Sequence, residues 1–311
     1  LKNKTAIVIA FALLSFIALN FIGCGGKTSL TNLSSHELFK LGKEKYNHKK
    51  YLRAEEIFQS IVYNYPGETI VDSAQYYLGL SYFGAKEYEL AQVEFNRLAL
   101  NYPSSVYFKH ALFMKAVCFF ESTPKNYGLD QSELVKAIKQ FQDFIIDYPE
   151  SELIPEAKKY LLIARTRLAK KYYMSGEVYE HMSRYKSAEI YFQEVVDDYT
   201  DTQFAPLATF KVGEMTYKQK KYVDAQNKLK NFIDVFPNNQ YTPKAKKMII
   251  EASFKSAEQA LKKGNYVLAK ERLNAFIKNY PNNKKVKKAN ELIKKIDKIT
   301  LTNLKENDGN S

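Results

Sequence analysis

The sequence predicts an all-α solenoid, a right-handed superhelix of about six helical hairpins closed by a C-terminal capping helix. Three observations predict it. First, one spacing recurs along the chain: Tyr51/Ala54/Phe58/Tyr65-Pro66, Tyr88/Ala91/Phe95/Tyr102-Pro103, Leu134/Ala137/Phe141/Tyr148-Pro149, Tyr185/Ala188/Phe192/Tyr199, Tyr222/Ala225/Leu229/Phe236-Pro237 and Tyr266/Ala269/Leu273/Tyr280-Pro281. Steps of three, four and seven place these residues on one helical face, and proline after the last aromatic ends the helix. Second, a small residue stands twelve positions before the alanine, at Gly42, Gly79, Gly176, Gly213 and Ala257, with Ala116 displaced by an insertion. It lets two helices approach closely, glycine facing alanine. Third, the chain has 24 Tyr, 20 Phe and no Trp, which suits interfaces filled by Tyr and Phe rings.

Taken in order, the chain opens with Lys2 and Lys4, an uncharged run from Thr5 to Ile22, and small residues around Cys24. This is the three-part pattern of a secretory signal over residues 1–23. The run is long enough to be weighed as a membrane-spanning helix, but Phe21-Ile22-Gly23-Cys24 resembles a bacterial lipobox, in which the cysteine is lipidated and becomes the first residue. Residues 24–33 are then a polar tether carrying N-acyl and diacylglycerol lipid on Cys24, and several acyl chains hold far more firmly than one. Gly25, where an aspartate would favour retention at the inner membrane, implies transfer to the outer membrane.

The solenoid occupies residues 34–299. Ser34-Ser35 caps the first helix of repeat one, 34–66. Repeat two spans 71–103. Repeat three, 106–149, is interrupted by an insertion at 122–132, whose Ser-Thr-Pro-Lys-Asn-Tyr-Gly-Leu-Asp-Gln run reads as a loop. In repeat four, 151–200, Pro155 suits a first turn, and apolar periodicity through Leu162, Leu168 and Tyr172 predicts an unusually long first helix. Repeat five covers 203–237 and repeat six 243–281. A basic amphipathic stretch, 284–299, reads as the capping helix, and residues 300–311 are expected to be disordered.

Net charge is +13 and unevenly placed: between Pro243 and Lys298, 16 Lys and Arg stand against 5 Asp and Glu. A basic end of this kind could meet an acidic partner, anionic lipid headgroups or nucleic acid. Nucleic acid is the weakest of the three, since the lysines show no recognised binding motif and the export signal argues against that compartment. A solvated lysine-rich face is the default. Cys118, among Ala116, Val117, Phe119 and Phe120, reads as a buried apolar residue, so acylation of Cys24 leaves no internal disulfide.

No arrangement for catalysis appears. His36, His48, His110 and His181 lack metal-ligand spacing, and Gly23, Gly25 and Gly26 lie at the signal junction instead of after a strand. Glu121-Ser122 faintly resembles the glutamate-serine of lytic transglycosylases, but no lysozyme-like domain fits outside the repeats. The reading is a protein that is not an enzyme and holds neither metal nor cofactor. What stacked hairpins offer instead is an inner groove for extended or helical peptide. Aromatic residues outside the packing pattern crowd repeats one and two, and Tyr46, Tyr63, Tyr76, Tyr77, Tyr82 and Phe83 are the candidate groove residues.

Small residue, alanine, aromatics and terminal proline together resemble the tetratricopeptide repeat. Within that class the chain resembles the BamD family, the lipoproteins of the outer-membrane β-barrel assembly machinery. The match rests on the lipobox before a short tether, and on the insertion followed by Asp130-Gln131 and the helix carrying Ala137, Phe141, Phe144 and Tyr148-Pro149-Glu150-Ser151. It rests also on Arg165-x-Arg167-Leu168-Ala169, Gly176-Glu177-x-Tyr179 and Asp198-Tyr199-Thr200-Asp201-Thr202. The resemblance implies a lipid-anchored scaffold at the periplasmic face of the outer membrane. Its N-terminal repeats would bind targeting segments of unfolded outer-membrane proteins, and its C-terminal repeats would dock on the barrel-forming subunit BamA beside the other assembly lipoproteins. Carried over by position, Tyr65 falls in the receiving region, and Arg165 and Arg167 lie in the partner-docking half. Family members usually stop after five repeats, so repeat six is read as an addition. Two alternatives stay open: another envelope repeat lipoprotein, of pilus assembly or of cell-division and peptidoglycan coordination, and an envelope enzyme accessory or transglycosylase fragment, which predicts hydrolysis lost on changing Glu121.

Overall fold

A computed structural model describes residues 33–308, and all regular structure among them is helical. The helices are α1 (Ser35–Asn47), α2 (Tyr51–Asn64), α3 (Val71–Gly84), α4 (Tyr88–Asn101), α5 (Phe108–Ser122), α6 (Ser132–Asp147), α7 (Ile154–His181), α8 (Tyr185–Asp198), α9 (Ala205–Lys218), α10 (Tyr222–Val235), α11 (Thr242–Lys262), α12 (Tyr266–Asn279) and α13 (Val286–Asp308). They form the antiparallel hairpins of a tetratricopeptide solenoid. The described residues fall into two compact units, divided between Ala111 and Leu112.

The repeated face is the core. Ala54, Ala91, Ala137, Ala188, Ala225 and Ala269 are fully buried, and so are Phe58, Phe95, Phe141, Phe192, Leu229 and Leu273 one turn later. The partner of the small residue differs from the expected alanine. A Cβ on Gly42 would stand 2.7 Å from the Phe58 ring, one on Gly79 2.7 Å from Phe95, one on Gly176 2.6 Å from Phe192, and one on Gly213 2.6 Å from Leu229. The glycine therefore makes room for the large side chain that follows the alanine, because that side chain, and not the methyl group, reaches across to the first helix.

Each uninterrupted hairpin turns through one residue in the left-handed region: Lys49, Lys86, Ser183, Lys220 and Gly264 have φ between 57° and 76°. The next amide reaches back over the helix end, as Lys50 N does to Lys45 O at 2.9 Å and Arg184 N to Tyr179 O at 2.9 Å, closing the last turn as a Schellman motif. At the other end, Pro155, Pro206 and Pro243 occupy first turns, where a missing N–H costs nothing.

The insertion in the third hairpin is organised around Gln131. Its side-chain amide donates to the carbonyls of Pro124 at 3.1 Å, Asn126 at 3.2 Å and Asp130 at 3.2 Å, winding the loop about one buried side chain. Helix α7 then runs for 28 residues. At the C-terminus, the segment expected to be disordered from residue 300 continues α13 as far as Asp308. Neither Gly nor Pro interrupts residues 282–308, and Thr300 and Thr302 bond their hydroxyls to the carbonyls four residues back, at 2.9 and 3.0 Å. The signal segment, Cys24 and most of the tether lie outside the described residues, and no described helix is long and apolar enough to cross a membrane.

Candidate functional site

In the first unit, α1 begins with a capping box. Ser34 accepts from the Glu37 amide, and Glu37 accepts from the Ser34 amide at 2.9 Å. That start sets the register of α1, and steps of four and three then bring Phe39, Lys43 and Tyr46 to one face. Helix α3 adds Tyr76 and Tyr77, and Tyr107, just before α5, closes the group. The rings meet edge to face: Tyr77 lies 5.6 Å from Phe39 and 5.7 Å from Tyr46, while Tyr107 stacks on Tyr76 at 4.5 Å. The Lys43 ammonium sits 5.0 Å from the centre of Tyr77 and 5.8 Å from that of Phe39. All five rings are half-buried. Burial pushes the hydroxyls of Tyr46 and Tyr76 above the ordinary phenol value, so they remain protonated hydrogen-bond donors.

This face brings together Tyr46, Tyr76 and Tyr77 of the six candidate tyrosines. The other three lie elsewhere. Tyr63 is exposed on α2 and bonds to Arg97, which also pairs with Glu94 at 2.8 Å. Tyr65 donates to the Leu33 carbonyl at 3.0 Å, tying down the chain before α1. Tyr82 is buried against Glu55, and burial, reinforced by that carboxylate, raises its hydroxyl to about 12.

Phe39, Lys43 and Tyr107 belong to the face and were not singled out from the sequence. A signal for Phe39 exists in the repeat itself. The position three residues before the small residue is aromatic in every hairpin, at Phe39, Tyr76, Phe113, Tyr173, Phe210 and Phe254. In the second unit these rings are buried, whereas Phe39 and Tyr76 are only half-covered.

The two arginines of the second unit are both engaged. Arg165 grips Asp201 with bonds of 2.8 Å from Nε and 2.7 Å from Nη2, adds the Asp198 carbonyl at 2.6 Å, and lies over Tyr199. It fastens the turn after α8 to α7. Arg167 donates to the Pro124 carbonyl at 3.0 Å and covers Phe120, holding the insertion loop. Ser122 spends its hydroxyl on the Phe119 carbonyl at 3.1 Å. Among the described residues no group of His, Cys, Asp and Glu is placed to hold a metal ion.

Comparison with known proteins places these features in a family. The family model YfiO, described as an outer membrane lipoprotein, matches residues 31–219 and again 209–308, so the sixth repeat, read as an addition, is itself matched. The outer membrane protein assembly factor BamD of Rickettsia prowazekii (strain Madrid E) is 24% identical over 202 residues, covering 65% of this chain and 80% of that protein. The factor of the same name from Caulobacter vibrioides is 22% identical over 218 residues, covering 68% and 70%. Among solved structures, the TPR2AB-domain:pHSP90 complex of yeast Sti1 shares 14% identity, covering 85% of this chain and 98% of that one at a TM-score of 0.37.

Proposed function

Because the chain belongs to the YfiO family of outer membrane lipoproteins, we propose that it is a non-enzymatic scaffold of outer-membrane protein assembly, anchored through acylated Cys24 and facing the periplasm. The first unit receives an extended, aromatic-ended segment of an unfolded outer-membrane protein. The second docks on a BamA-like barrel-forming subunit, with Arg165 and Arg167 acting by holding the 198–201 turn and the insertion loop in place.

The observation that carries this reading is the half-buried aromatic face with Lys43 at its centre. A rigid cluster of rings loses little entropy on binding and stacks edge to face on an incoming ring. Tyr hydroxyls satisfy the amides and carbonyls of an extended chain, and the Lys43 ammonium complements a terminal carboxylate. The relatives named as assembly factors support the role.

The test is titration of the protein with a fluorescent peptide that ends in a free aromatic residue. Tyr77→Ala should weaken binding roughly tenfold, the loss of one central ring contact of about 1–2 kcal/mol. Lys43→Gln should weaken the free-acid peptide and leave its C-terminal amide unchanged. Undiminished binding by Tyr77→Ala would move the receiving surface elsewhere.

A further inference from the structure

The hairpin turns of the second unit form a basic edge. Arg184, Lys220, Lys221, Lys262 and Lys263 all stand within two residues of the turn residue. Between the last two hairpins a cavity of about 590 Å³ is lined by Lys220, Lys255, Lys262 and Lys263 beside Tyr222 and Glu258. The Glu258 carboxylate is held by Lys288 at 2.6 Å, so it does not neutralise these four ammonium groups. Across the same turn, a groove of about 920 Å³ between α12 and α13 is lined by Tyr266, Val267, Ile296 and Leu301. Its Lys270 and Asp297 neutralise each other at 2.5 Å, leaving Glu271 as the opposing charge. Val267 is 82% exposed and Leu301 60% exposed.

Lysines after α11 are favoured by the helix dipole, but that effect asks for no apolar neighbours. It leaves Val267 and Leu301 unexplained. Exposed aliphatic side chains on one side of a turn and unneutralised ammonium groups on the other match a bilayer surface, where the former enter the acyl boundary and the latter meet phosphates. We infer that the turn edge of the sixth hairpin, Lys262 to Val267, with Leu301 of α13, docks on a bilayer containing anionic phospholipid. This contact is separate from client binding on the first unit and does not rest on it.

The chain has no Trp, so a single introduced one reports without background. Full-length Val267→Trp is reconstituted into vesicles of phosphatidylcholine alone, or of equal parts phosphatidylcholine and phosphatidylglycerol, each with brominated acyl chains. Val106→Trp, at a position 81% exposed in the first unit, serves as control. The expected result is a blue shift and quenching of the tryptophan at 267 only in the anionic vesicles, reversed by high salt. Lys262→Gln and Lys263→Gln should each lower the docked-to-undocked ratio about fivefold. Equal quenching at 267 and 106, or no difference between the two lipid compositions, overturns the proposal. So would an unquenched tryptophan at 267 in protein-free vesicles, the result for a surface that meets an acidic protein.

Discussion

One repeat position behaves in opposite ways in the two units. Phe39 and Tyr76, three residues before their glycines, contribute to an open face whose neighbours are other rings and Lys43. Phe210 and Phe254 occupy the equivalent place in the second unit and are covered. Tyr241 stacks on Phe210 at 4.9 Å with Lys244 beside it, and Lys285 and Lys288 lie over Phe254. Those lysines are fixed in turn by Glu214, Glu251 and Glu258, at 2.7, 2.5 and 2.6 Å. The repeat thus supplies a ring at a set place, and the next hairpin decides whether it becomes core or surface. Binding capacity is a property of what is left uncovered.

The sharpest way to break this comparison is to truncate the same position in both units. Phe254→Ala removes a ring that is 1% exposed and should cost about 3–5 kcal/mol in denaturant unfolding. Phe39→Ala removes a ring that is only partly buried and should cost less, about 2–3 kcal/mol, because less area leaves water on folding. Equal losses would mean that the open face is as much core as the covered one.

A smaller effect separates structural from exposed charge in the second unit. Hydrogen bonds from Arg165, helped by its positive charge, hold the Asp201 carboxyl below the ordinary carboxylate range. A group whose folded pKa is depressed contributes stability above its unfolded pKa of about 3.9, and that contribution is lost as pH falls through the folded value. Arg165→Gln should therefore cost about 1 kcal/mol at neutral pH, modest because Asp201 is 45% exposed. The difference from wild type should shrink in melts carried out in acid, as the Asp201 part of it is lost. An undiminished difference there would assign the role of Arg165 to its bond to the Asp198 carbonyl and its packing on Tyr199, and not to the ion pair.

The hairpins were legible in the sequence because their information is local. Steps of three, four and seven define one helical face wherever they occur, and proline marks where it stops. The aromatic face was only half legible. Tyr46 and Tyr77 stand outside the packing pattern, but Phe39 and Tyr76 share a repeat position with rings that are buried in the second unit, and their exposure depends on neighbours distant in sequence. Tyr63 and Tyr82 look alike in the sequence; one is exposed beside Arg97, and the other is buried on Glu55. Likewise the lysine excess after Pro243 did not reveal which lysines were paired. Lys244, Lys270, Lys285 and Lys288 find carboxylates across helices, which composition cannot show.

The smallest expected effect is a gain. Ser183 turns the fourth hairpin at φ 57°, where a side chain crowds the backbone, whereas the sixth uses Gly264 at φ 76°. The Ser183 amide donates to Glu180 O at 2.8 Å and the residue is exposed, so its side chain can be removed without disturbing a packed neighbour. Relief of left-handed strain, about 1–2 kcal/mol, is offset by the greater freedom glycine has in the unfolded chain, about 0.5–1 kcal/mol. Ser183→Gly should therefore raise stability by roughly 0.5 kcal/mol and lift the melting temperature by a degree or two. Since serine and glycine hold the same turn in two hairpins, Gly264→Ser should lower stability by a similar amount. If the two changes move Tm in the same direction, the turns are not equivalent, and the repeat would have to be compared hairpin by hairpin.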